Sequence, residues 1–245
     1  MGAAGMAVSR HGALRPSWRV QASRRNRDGL VVFCPCRSEA GSPLAVSSPP
    51  RREEKGVLGL KVVVGLSGAS GAIFGIRLLD ITRSLPEVET HLVISRAARL
   101  TIVQETDYSV AQVQALADIS HEPEDVGASI ASGSFPSSGM VVIPCSMKTL
   151  SAIATGFCAD LLTRAADVTL KEGRPLILVV RETPLHLGHL RRMVEAAEVG
   201  AVIFPLVPAF YTRPLTLQDM VDQTVGRILA RLGIPNGYYH EWKGT

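Results

Sequence analysis

Three glycines, Gly65, Gly68 and Gly71, stand at G-x-x-G-x-x-G spacing between the apolar run LKVVVGL and the stretch AIFGIRLL. Glycines let backbone N–H groups approach an anion at a helix start, and Ser67 and Ser70 add hydroxyls. The spacing is not the G-x-G-x-x-G of dinucleotide binders. No Lys follows Gly71, so it is not the phosphate loop of NTPases either. A turn that only packs a helix onto a sheet has the same letters. At the end of the next apolar run a dinucleotide enzyme carries an acid for the ribose; this chain has Ser95–Arg96. A hydroxyl beside a cation suits a terminal phosphate and favours a mononucleotide.

Further groups follow other apolar runs. PCSMKTL offers Ser146, Lys148 and Thr149 at a helix start, either as ligand contacts or as an ordinary cap. VVRE places Arg181 and Glu182 directly after a strand. A charged pair there is solvated, paired or functional, and a carboxylate facing a cleft can carry protons. PAFYTRP brings Tyr211 and Arg213, with Arg227 on the last helix; Tyr hydroxyl and Arg form a phosphate grip, or Arg227 is solvated beside Arg231. Arg164 and Lys171 lie seven apart on one helical face, pointing into a cleft or at solvent. His186 and His189 have i, i+3 spacing, but no carboxylate or third His completes a zinc set, so no metal is expected.

The elements that must carry these residues alternate. LKVVVGL, ETHLVIS, GMVVIPCS, RPLILVVRE and AVIFP read as five strands, and amphipathic stretches between them as helices. Gly156 and Gly173 close two of those helices. The polar stretch from Asp107 to Glu124 reads as a loop with short helical pieces. This pattern predicts an α/β fold: a Rossmann-like (flavodoxin-like), doubly wound parallel sheet in three α/β/α layers. Ligands of such sheets bind beyond the carboxyl ends of the strands, which singles out Gly65–Gly71, Ser95, Cys145–Thr149, Arg181–Glu182 and Pro205–Tyr211.

The net charge of +4 does not indicate a nucleic-acid binder, because residues 1–55 carry +6 and the remainder −2. Residues 1–55 are rich in Arg, Ser, Ala and Gly, which predicts an organellar transit peptide and linker ahead of a domain over 56–245; mitochondrion is favoured slightly over plastid. No uncharged apolar run is long enough for a transmembrane helix. Cys34, Cys36, Cys145 and Cys158 lack ligand spacing and read as reduced, mostly buried thiols.

The strings GLSGASGAIFGIRLL, ETHLVISRAAR, ASGSF, VIPCSMKTLSAIATG, LLTRAADVTLKEGRPLILVVRETPLHLGHL and GAVIFPLVPAFYTRP occur in order from Lys61 onward. Through them the chain resembles the UbiX-type flavin prenyltransferases, also called phenylacrylic acid decarboxylase-like proteins. The resemblance implies an FMN-binding homo-oligomer, commonly a dodecamer, that needs no metal. It implies transfer of the dimethylallyl group of dimethylallyl phosphate to N5 and C6 of reduced FMN, giving prenylated FMN for a UbiD-type decarboxylase. It assigns FMN contacts to Gly68, Ala69, Ser70, Ser95, Ser146, Met147, Lys148, Thr149 and Arg181. Tyr211 and Arg227 resemble the residues that grip dimethylallyl phosphate, with Lys171 assisting and Arg164 and Trp242 near the site. Ser70 and Glu182 resemble a proton-handling pair. The alternative is an FMN-dependent decarboxylase of aromatic or cysteinyl acids, although the cysteine decarboxylases carry a PASANT-type motif where this chain has PCSMKT.

Overall fold

The computed structural model describes residues 59–244; the N-terminal segment with Cys34 and Cys36 lies outside them. Six parallel strands form one sheet: β1 (Leu60–Leu66), β2 (Val88–Ile94), β3 (Ile119–His121), β4 (Gly139–Cys145), β5 (Leu176–Val180) and β6 (Val202–Ile203), in spatial order 3-2-1-4-5-6. The expected doubly wound parallel sheet is present, with its switch point between β1 and β4. β3 is an addition to the five expected strands. It is three residues long, at the sheet edge and largely exposed, so it shows neither an apolar run nor a period.

Among the described residues seven α-helices cover the sheet: α1 (Ala72–Arg83), α2 (Arg96–Glu105), α3 (Val110–Gln114), α4 (Met147–Ala154), α5 (Leu161–Lys171), α6 (Leu187–Glu198) and α7 (Leu217–Arg231). Alternate strand residues face opposite layers. Val62, Val64 and Leu66 join Ile76 and Leu79 of α1, Ile102 of α2, Val113 of α3 and Val225 of α7 in one core. Val63, Val93 and Met140 join Leu150 of α4, Leu162 of α5 and Ala196 of α6 in the other. Helices α1 and α7 are also tied by Arg77, whose Nε donates to Asp222 at 2.7 Å. As expected, Gly156 and Gly173 end their helices in left-handed backbone, at φ 68° and 66°. Cys145 is buried, but Cys158 is exposed, so the reading of both domain thiols as buried holds for only one. Among the described residues no helix is long and apolar enough to cross a membrane.

The switch point is fastened by Ser67, only 1% exposed. Its Oγ donates to the Pro144 carbonyl at 2.9 Å and accepts from Ser146 N at 2.7 Å, while its own N–H donates to the same carbonyl at 3.2 Å. The loops after β1 and β4 are thereby tied through one side chain. Ser67→Ala leaves the Ser146 N–H without this acceptor, and we expect it to cost about 1–3 kcal/mol. The urea midpoint should fall with an unchanged slope; a parental midpoint would show that the bridge contributes nothing.

Candidate active site

The loop after β1 needs two of its glycines for different reasons. A Cβ on Gly68 would sit 2.3 Å from the Ala97 Cβ, so the loop can lie this close to α2 only with hydrogen there. Gly71 precedes α1 at φ 101°, in the left-handed region, and provides no side-chain cap. The acceptor comes from another helix. Glu105, last residue of α2, takes Gly71 N–H at 2.7 Å and Ala72 N–H at 3.3 Å on Oε2. Burial acts to raise the Glu105 carboxyl; the Ser70 hydroxyl, those two amides and the charge of Arg181 outweigh it and hold the group below its ordinary value. Glu105 therefore lies beside Ser70 at the carboxyl edge of the sheet, within the influence of the Arg181 charge. This changes the reading of the glycine loop: the positive end of α1 is engaged by the chain's own carboxylate.

Two other helix starts at this edge carry hydroxyls. Ser95 caps α2 by accepting from Ala98 N at 3.2 Å. Ser146 caps α4, accepting from Thr149 N at 3.3 Å and donating to Thr149 Oγ1 at 3.1 Å. Met147 is buried in the core, whereas Lys148 is exposed. Arg96, read from sequence as a partner of Ser95 at a phosphate, instead pairs with Glu124 at 2.6 Å on the surface. Arg181 and Glu182 are both exposed. The Glu182 carboxylate accepts from Thr183 N at 3.0 Å, and the carboxylate beside Ser70 is Glu105. His186 and His189 begin α6 with their rings 3.6 Å apart between centroids, His186 Nδ1 accepting from His189 N.

The other predicted residues form two separate groups. Around α7, the Tyr211 hydroxyl donates to the His240 carbonyl at 3.1 Å, Trp242 meets the Tyr211 ring edge-on, and the Arg227 guanidinium lies 5.9 Å from the Phe204 ring centroid. On α5, Arg164 donates to Ala131 O and pairs with Asp167 at 2.8 Å, and Lys171 pairs with Glu172 at 2.6 Å. Helices α5 and α7 cover opposite faces of the sheet. Lys171 also lies at the end of α5, before β5 begins, hence at the edge opposite the glycine loop. Crossing the sheet along β5 spans about 13 Å. Within one chain, Lys171 and Arg227 do not converge.

Sequence reasoning missed Glu105 and Gln223, and it read Ser67 as a hydroxyl for an anion where the fold uses it to bridge Pro144 and Ser146. The signal for Glu105 was indirect: Gly71-Ala72-Ile73-Phe74 opens a helix with no Ser, Thr, Asp or Asn cap and no acid in its first turn, so an acceptor must come from elsewhere.

Comparison with known proteins gives the family and the fold. The family model described as Flavoprotein matches residues 50–228. The flavin prenyltransferase UbiX of Escherichia coli K12 is 58% identical over 187 residues, 76% of this chain and 99% of that protein. The mitochondrial flavin prenyltransferase PAD1 of Saccharomyces cerevisiae is 50% identical over 200 residues, 82% of this chain and 79% of that protein. Two crystal structures have the same fold. One is AnUbiX (PadA1) in complex with FMN and dimethylallyl pyrophosphate, at TM-score 0.74 and 51% identity, covering 76% of this chain and 99% of the other. The other is a dodecameric FMN-dependent UbiX-like decarboxylase from Escherichia coli O157:H7, at TM-score 0.74 and 50% identity, covering 76% and 100%.

Because the Glu105 carboxyl lies below its ordinary 4.5 in the fold, its capping of α1 is fully present above that pH and is lost as pH falls below it. Glu105→Gln should therefore destabilise the protein at pH 7 by about 0.3–1 kcal/mol, the range for a partly solvated charge at a helix N-terminus. The difference from the parent should close progressively as pH falls below 4.5. Denaturant midpoints measured across that interval check it, and a gap independent of pH would rule out the carboxylate as the source.

Proposed function

The chain belongs to the flavoprotein family, within its UbiX-type flavin prenyltransferases, and from that membership we propose that it joins the dimethylallyl group of dimethylallyl phosphate to N5 and C6 of reduced FMN. The product, prenylated FMN, is then handed to a UbiD-type decarboxylase. The observation that carries this reading is the gathering of the Ser70–Gly71 loop, held by Glu105, and the hydroxyl-bearing starts of α2 and α4 at the carboxyl edge of the sheet.

This donor set fits FMN. With Glu105 on the N-terminus of α1, the hydroxyls of Ser95, Ser146 and Thr149 remain for the flavin phosphate, and Lys148 and Arg181 supply charge. Gly68 and Ala69 give a small-residue floor, and Met147 buttresses α4 from the core. Bound reduced FMN supplies the nucleophile, which explains why the chain needs no Ser–His–Asp or Cys–His arrangement of its own. Ser70 Oγ, backed by the Glu105 carboxylate, holds and moves a proton next to the flavin. Tyr211, Arg227, Lys171 and Arg164 hold the phosphate of the prenyl donor and stabilise its departing charge, with Trp242 closing the site. Glu182, exposed directly after β5, takes the proton released as the second bond forms, or yields that role to the departing phosphate.

The opposite placement of Arg227 and Lys171 supports a shared site, completed by a neighbouring copy in a homo-oligomer; the dodecameric relative supports twelve copies. We also propose an organellar location, mitochondrial in preference to plastid, with residues 1–55 as the targeting segment ahead of the enzyme domain at 56–245. The Arg- and Ser-rich composition and the mitochondrial yeast relative support it.

Purified protein, reduced FMN and dimethylallyl phosphate should yield a flavin heavier by one five-carbon prenyl group, with dimethylallyl pyrophosphate run in parallel. No adduct from either donor, with CO₂ released from an aromatic acid, would overturn the reading in favour of a decarboxylase. Glu182→Gln should slow adduct formation without releasing FMN; unchanged formation would remove Glu182 from the proton path. Lys171→Ala and Arg227→Ala should each be inactive, yet regain activity when the two are dissociated and reassembled together. A mixture that stays inactive would mean that each chain completes its own site.

A further inference from the structure

We propose that Gln223 is a positioning residue for the prenyl-donor site, its carboxamide setting the Tyr211 hydroxyl and the His240–Trp242 segment in one arrangement. The proposal rests on Tyr211 gripping the donor phosphate. Helix α7 turns Val221, Val225, Ile228 and Leu229 inward, and Gln223 is buried among them at 5% exposure. A buried amide must find partners, and this one reaches out of its own helix for all of them. Its Nε2 donates to Tyr211 Oη and to the His240 carbonyl, both at 3.2 Å, and its Oε1 accepts from His240 N at 3.0 Å. The chain beyond α7 thus runs back along the helix and is gripped at both backbone groups of His240. Asn236 steadies the same segment by donating to Gly226 O at 2.9 Å.

The pattern around Tyr211 has a chemical use. Its hydroxyl proton is engaged by the His240 carbonyl, while its oxygen accepts from Gln223. When a phosphate oxygen arrives, the hydroxyl can rotate its proton onto the anion. The His240 carbonyl then keeps its Gln223 donor, so neither group is left unpaired and the rotation is cheap. A cavity of about 220 Å³ opens beside this network, lined by Thr212, Gln223, Tyr238 and His240 among others. Trp242, with ring centroid 5.7 Å from that of Tyr211 and nearly perpendicular to it, reports on the arrangement.

Trp18 and Trp242 are the only tryptophans, so full-length Trp18→Phe protein isolates the Trp242 emission. In that background Gln223→Met, matched in length and without hydrogen-bonding capacity, should raise KM for dimethylallyl phosphate about tenfold or more, as expected for a disrupted buried network. kcat and FMN affinity should stay near parental values, and Trp242 emission should shift to longer wavelength. Gln223→Glu keeps an acceptor for His240 N but no donor, and should fall between parent and Gln223→Met in both readouts. Combined with Tyr211→Phe, Gln223→Met should add little to the KM of the single Tyr211 variant, because both act through one hydroxyl. Parental KM and emission in both Gln223 variants would overturn the proposal, as would an emission shift with unchanged KM, which would leave only a structural latch. If Tyr211→Phe itself leaves KM unchanged while emission still responds to Gln223, the assignment of Tyr211 to the donor phosphate fails and the positioning role falls with it.

Discussion

The hydroxyl of Ser67 joins the two loops on which the whole carboxyl edge is built. β1 and β4 are neighbours in the sheet but separated by more than seventy residues of chain, and the winding reverses between them. Without a tie, the loop after β1 and the start of α4 would be positioned only by the last ladder bonds of their own strands. Ser67 donates to one side of the β4 turn and accepts from the other, so Ser70 and Ser146 keep a constant relation. Every later arrangement at this edge, including the contact of Glu105 with Ser70, inherits that spacing.

A second constraint comes from the layering. The sheet separates α5 from α7, so cationic side chains on those helices are kept apart by about the thickness of a packed layer. Arg164 and Lys171 instead spend their charge on Asp167 and Glu172, partners close in sequence. Exposed ion pairs of this kind contribute little to stability. They anchor Arg164, also held by the Ala131 carbonyl, and Lys171 to their own helix end instead of to a residue across the sheet.

Much of this is legible in the sequence because the strands of a doubly wound sheet are buried on both faces and read as unbroken apolar runs. The β1 and β4 runs, with the small polar residues after them, locate the carboxyl edge from the order of residue types alone. The failures have one cause. β3 is too short and exposed to leave a pattern, and Arg96 stands beside Ser95 in sequence when its partner is Glu124, twenty-eight residues away. Glu105 and Gln223 sit inside helical periodicity as ordinary polar positions; their roles come from partners that only the folded chain brings near. Periodicity reports which face a residue occupies, and it carries no information about which distant backbone groups need that residue's side chain.

The carboxylate on the N-terminus of α1 also bears on what the unliganded protein meets in solution. Inorganic phosphate is abundant in any cell, and a bare helix end flanked by glycine amides would hold it, since both dipole and donors favour small anions. Glu105 keeps that end occupied by a group that cannot diffuse away. A small anion seeking those two amides would have to displace a group tethered to the same chain.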